Sequence, residues 1–138
     1  METLNLISII ISPILAVFIG QYLQNRLEKR KDKIQIFKIL MTARIYGWTV
    51  DSVHALNIID IIFVDNKKVR SAWKDLYEKY CIQNPNEIQL ENMEKSYCKL
   101  LEIIASSLGY KNKITWETIQ TMYIPKGMVE CQNFHKKL

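Results

Sequence analysis

The chain has 138 residues, is 49% hydrophobic and 24% charged, and carries a formal net charge of +5. Set beside an apolar leading stretch, that length leaves room for one small core and excludes a multidomain protein, while 4 Gly and 3 Pro without repeats exclude a fibrous or low-complexity chain. Cys81, Cys98 and Cys131 stand far apart, with only His54 and His135 for company, so reduced, packed thiols are expected and no metal site.

The stretch Leu4 to Leu23 is uncharged over 20 residues. As a helix it would extend roughly 30 Å, the hydrocarbon thickness of a bilayer. Arg26, Lys29, Arg30, Lys31, Lys33 and Lys38 follow it, against Glu28 and Asp32 alone. A basic flank on this side places the remainder of the chain in the cytoplasm, with the N-terminus outside, and favours an uncleaved single-pass anchor over a signal peptide. Residues 1–25 are thus read as a transmembrane anchor and 26–138 as a basic juxtamembrane helix leading into a cytoplasmic all-α domain.

Inside the span Ser8, Ser12, Ala16 and Gly20 recur every fourth residue. Small side chains on one ridge let helices approach closely in lipid, so the span is expected to contact copies of itself. Asn5 joins Ser8 and Ser12 in a partly polar seam facing a partner helix or water. Pro13 predicts a kink or a loosened turn.

From Asn25 the helix is expected to continue to about Gly47, with Ile34, Phe37, Leu40, Met41 and Ile45 (or Arg44 beside it) on one apolar face. Thr49 or Asp51 opens a second helix, which buries Val53, Leu56, Ile59 or Ile58, and Phe63. After Asp65-Asn66 a third helix turns Val69, Ala72, Trp73, Leu76, Tyr77 and Tyr80 inward. Asn84-Pro85-Asn86 breaks the chain. The longest soluble helix follows, with Ile88 (or Leu90), Met93, Tyr97, Leu100, Leu101, Ile104 and Leu108 buried and Gly109 as its stop. Thr115 caps a short helix through Tyr123 that buries Trp116 and Ile119, and the tail from Met128 is expected to form a last one.

Blocks along the chain carry a resemblance: IFKILMTAR (Ile36 to Arg44), HALN (His54 to Asn57), KKVxxAW (Lys67 to Trp73), LGY (Leu108 to Tyr110) and YxPKG (Tyr123 to Gly127). Together with the anchor and RLEKRK they resemble a family of short bacterial membrane-anchored proteins classed only as a domain of unknown function. The resemblance implies membership and no activity.

No GxSxG, HExxH or glycine-rich phosphate loop is present, so an enzyme is not expected and no cofactor is called for. His54 beside Asn57 and Asp60 reads as a buried histidine tying helices together. Anion recognition is better supported. Arg44, Lys67, Lys68, Arg70 and Lys126 are placed at helix ends or loops, where cations face outward to phosphate. Gly127 leaves backbone N–H groups open to an anion, and Tyr46, Trp48, Tyr110 and Tyr123 offer rings for base stacking. The expected ligand is a nucleotide or a short single-stranded DNA.

Two readings follow. In one, the chain is an oligomeric effector in antiphage defence or stress response, a tetramer being the smallest plausible ion channel, that senses a nucleotide from a neighbouring nucleotide-polymerising enzyme. In the other it is a non-catalytic membrane adaptor that docks a protein partner.

Overall fold

The computed structural model describes the backbone of residues 2–45, 47–123 and 125, and the side chains among these from Ile9 onward. The described residues contain five helices and no strand: α1 (Glu2–Ala43), α2 (Val50–Ile62), α3 (Lys67–Tyr80), α4 (Glu87–Ser107) and α5 (Trp116–Gln120). The all-α expectation is correct. The tail helix expected from Met128 lies outside the described residues.

The helix α1 is a single 42-residue rod, running on through Pro13 without interruption. Its first half stands clear of the bundle: Ile9 to Leu27 are exposed, including Ile9, Phe18 and Tyr22 at 69%, 65% and 65%. Its second half turns Ile36, Phe37, Leu40 and Ala43 into the core. Among the described residues no helix is long and apolar enough to cross a membrane. The uncharged run with described side chains, Ile9 to Leu23, reaches roughly 22 Å as a helix, short of the hydrocarbon layer. Residues 4–8 of the expected span belong to α1, but their side chains lie outside the described part.

Local chemistry sets each boundary. Thr49 caps α2 through a reciprocal pair of bonds with Ser52, and Asn86 caps α4 in the same way with Gln89. The Asn66 side chain accepts from Lys68 N and Val69 N at the start of α3. Gly109 ends α4 at φ +88°, a left-handed conformation that glycine adopts without cost. The rod α1 stops at Ala43, ahead of the expected Gly47, because its last carbonyls find partners earlier. The Tyr97 hydroxyl donates to Leu40 O at 2.7 Å and Arg44 Nε donates to Met41 O at 2.9 Å. Gly47, at φ +82°, then turns the chain into α2.

The core joins Leu40 of α1, Ile59 and Phe63 at the end of α2, Val69 and Leu76 of α3, Leu100, Leu101 and Ile104 of α4, and Ile119 of α5, all fully withdrawn from solvent. Each such side chain contributes about 2 kcal/mol by leaving water. The helices alternate in direction, so α3 and α4 form the most extensive pair and α5 lies across α4. Two side chains of α1 fasten the rod to the same end of this bundle. Arg30 Nη2 donates to Leu108 O at 3.0 Å, and Lys33 Nζ reaches Asp65 at 2.9 Å while sitting 5.5 Å from the centre of the Phe63 ring.

Several expected core positions are exposed. Tyr77 and Tyr80 are 55% and 45% exposed, and the alternatives Ile88 and Leu90 69% and 53%; of the other paired alternatives, Ile59 is buried with Ile58 exposed, and Arg44 is half-buried with Ile45 exposed. Tyr77, Tyr80 and Leu90 are exposed because they line an open cavity between the far ends of α3 and α4.

Candidate ligand-binding cavity

At the end of the bundle remote from Arg30 and Lys33, the end of α1, the start of α2, the far halves of α3 and α4, and α5 enclose a cavity of about 740 Å³. Its walls carry Trp73 and Tyr77 from α3, which meet edge to face with ring centres 5.8 Å apart, then Tyr80, and Tyr97 from α4. Met93 and Ile119 complete the apolar lining, and Trp48, 80% exposed, stands at the margin. The helical periodicity that marks Trp73, Tyr77 and Tyr80 as one face of α3 was legible in the sequence. That this face borders a void and not packed neighbours was not, since α2 and α4 have different lengths and reach.

One cation enters this apolar space. Arg44 follows α1 directly, and its Nε is held by Met41 O while Nη1 donates to Thr118 O at 3.5 Å. Among the described residues it has no carboxylate partner. Its charge is felt by the wall. Burial pushes the Tyr97 hydroxyl well above the ordinary tyrosine range, with Tyr80 adding to the rise and Arg44 opposing it. Burial likewise raises the Cys98 thiol, Glu94 reinforcing and Arg44 again opposing. Burial, with Cys98 nearby, pushes Tyr80 to about 12. Both ring hydroxyls are therefore neutral hydrogen-bonding groups at physiological pH. Ser52, Asn57, Glu94 and Gln120 supply further polar groups around the lining.

The cations expected to act with Arg44 are elsewhere. Lys67 and Lys68 open α3 at the end where Asp65 meets Lys33, roughly 8 Å along that helix from Trp73 and roughly 20 Å from Tyr80. They border a second, more open depression of about 870 Å³ between α3 and α4, together with Lys79, Lys95 and Lys99. Lys79 is held there by Asp75 and Ser96, both at 2.6 Å, and its hydrogen bond holds the Asp75 carboxyl below the usual range. Arg70 is engaged by Asp60 at 3.0 Å in a solvent-exposed ion pair. His54 itself is exposed and ties no helices, correcting the expectation that it is buried, because the α2 surface it occupies faces outward. Tyr123 is 82% exposed, and Tyr110 packs against the core. Tyr46, Lys126 and Gly127 lie outside the described residues.

On α1, Ser12, Ala16 and Gly20 are exposed, and a side chain added at Gly20 would meet nothing within 4 Å. The side chains of Asn5 and Ser8 lie outside the described part. Among the described residues no three His, Cys, Asp or Glu side chains converge as a metal site would require.

A family model described as a family of unknown function, DUF6680, matches residues 1–138. The chain belongs to this family. Neither a curated protein nor a solved structure is matched. For this DUF6680 chain the chemistry of its own cavities therefore carries the functional argument.

Proposed function

We propose that the chain is a self-associating inner-membrane effector whose helical domain binds a nucleotide-class ligand in the Arg44 cavity. The observation that carries this reading is a guanidinium that has no carboxylate partner among the described residues, set in a cavity walled by Trp73, Tyr77, Tyr80 and Tyr97. Such a site suits a ligand with a flat ring system and one phosphate. Rings stack on the base, the fork of Arg44 receives two phosphate oxygens, and Asn57 or Gln120 reads a base edge. The cavity size falls in the ordinary range for small-ligand sites. A mononucleotide, or the end of a short single strand, meets these requirements.

Arg44 also sits at a mechanical junction. It follows the last turn of α1 directly, so a ligand drawn onto it acts on the same helix that carries Ser12, Ala16 and Gly20. The leading uncharged stretch, with residues 4–8 included, is read as the membrane anchor, and the small-residue ridge as the contact between copies. Four or more such helices would surround an aqueous path, which fits an effector that depolarises a membrane.

Calorimetric titration of the detergent-extracted chain with mononucleotides and with a short oligothymidine tests the cavity. Loss of one charged hydrogen-bonding partner costs about 2 kcal/mol, so Arg44→Met is expected to weaken binding roughly 30-fold, with Arg44→Lys intermediate. Equal affinity in all three proteins would remove the site.

A further inference from the structure

Charge is graded along the bundle. Where α1 enters it, the rod carries Arg26, Lys29, Arg30, Lys31 and Lys33. The corner between α2 and α3 brings Lys67 and Lys68 to the same end, as the Lys33–Asp65 bridge shows. The turn between α4 and α5 brings Lys111 and Lys113, as the bond from Arg30 to Leu108 O shows. Lys67, Lys68, Lys111 and Lys113 are all exposed. Among the opposing acids, Glu28, Asp32 and Asp65 lie at this level and Glu102 borders the same depression as Lys67 and Lys68, and Lys33 occupies Asp65 and holds its carboxyl below the usual range. The far end carries Glu78, Glu87, Glu91 and Glu94, with Lys95 paired to Glu91, and with Arg44 and Lys79 at the same end.

We infer that this basal face, formed by the α2–α3 corner and the α4–α5 turn around the root of the rod, binds the anionic headgroups of the leaflet beneath it. The inference rests on the membrane reading above. Seven residues of helix separate Leu23 from Arg30, roughly 10 Å, so the face stands about one Debye length from the end of the uncharged stretch. Lysines at that distance from an anionic leaflet are attracted to it one by one, and an array drawn from three separate elements fixes the tilt of the bundle. A nucleic acid would find the same cations, but it would have to enter between them and the exposed apolar half of α1, which leaves from the centre of the array.

The test is amine labelling of the full chain in lipid nanodiscs, read lysine by lysine by mass spectrometry. In discs of phosphatidylcholine mixed with phosphatidylglycerol, labelling of Lys67, Lys68, Lys111 and Lys113 is expected to slow about fivefold relative to phosphatidylcholine alone, the effect of one well-placed lysine at an anionic surface. High salt should abolish the difference, and Lys74, outside this face, should label alike in both. Lys111→Glu with Lys113→Glu should reduce the protection of Lys67 and Lys68. Equal labelling of the basal lysines in both discs would overturn the inference and leave the anchor standing, whereas failure to enter either disc would overturn the anchor as well. Protection by inorganic phosphate or by short single-stranded DNA in phosphatidylcholine discs, without protection by anionic lipid, would reassign the face and overturn it too.

Discussion

The Tyr97 hydroxyl of α4 donates to the carbonyl of Leu40, one turn before α1 ends, at 2.7 Å. This bond satisfies a helix-terminal carbonyl that has no partner within α1, and it fixes the place where Arg44 leaves the rod. Tyr97→Phe keeps the ring and deletes the donor. It is expected to cost about 1 kcal/mol in urea unfolding and, on the proposed function, to weaken nucleotide binding at Arg44 by loosening the last turn.

The same tyrosine predicts an alkaline limit to stability. In the unfolded chain a tyrosine ionises near pH 10, and in the folded protein Tyr97 holds its proton to higher pH while Tyr80 holds its own to about 12. A raised acid contributes stability below the unfolded value and loses it as pH climbs. Unfolding free energy should therefore decline from about pH 10 upward. The decline should be shallower in Tyr97→Phe, and a pH-independent difference between the two proteins across pH 9 to 12 would contradict the assignment.

Helix α2 and helix α4 begin on reciprocal caps. Thr49→Ala and Asn86→Ala are each expected to lower stability by about 1 kcal/mol, with Thr49→Ser nearly neutral because serine keeps the accepting oxygen. Thermal unfolding followed by circular dichroism measures both.

Core truncation should be far more damaging. Leu76 is fully buried between α3 and its neighbours, and Leu76→Ala is expected to cost about 2–5 kcal/mol, while the exposed Ile88→Ala stays within about 0.5 kcal/mol. Denaturant midpoints of the two variants give the comparison directly.

The proposed association through the ridge can be separated from folding, since among the described residues a Cβ added at Gly20 meets nothing outside its own helical turn within 4 Å. Ser12→Leu with Gly20→Leu should leave the helical spectrum unchanged and shift the extracted protein from oligomer to monomer in analytical ultracentrifugation. An unaltered oligomer would move the contact to another surface.

Much of the fold was legible because punctuation and periodicity agree. Thr49, Asn66, Asn86, Gly109 and Thr115 mark boundaries that the structure keeps, and Phe37, Leu40, Leu56, Val69, Leu76, Leu100, Leu101 and Ile104 bury as their spacing implies. The candidate site was legible only in part. Arg44 and the rings of α3 are each conspicuous, but their meeting depends on how far α1 runs and where α3 and α4 outreach the core, which no local signal encodes. Lys67 and Lys68 share with Arg44 a positive charge and a place at a helix end, and neither says which end of the bundle a helix end occupies. An antiparallel return of the chain places them at the opposite end.

The rod and the two fastenings at Arg30 and Lys33 make the bundle a rider on a mast instead of a float on a leash. On the proposed membrane reading, Arg44 stands roughly 30 Å along the rod from Leu23, about three screening lengths, where an incoming phosphate would no longer feel the repulsion of the leaflet. The height of a helix would then decide how freely an anionic ligand reaches the proposed site.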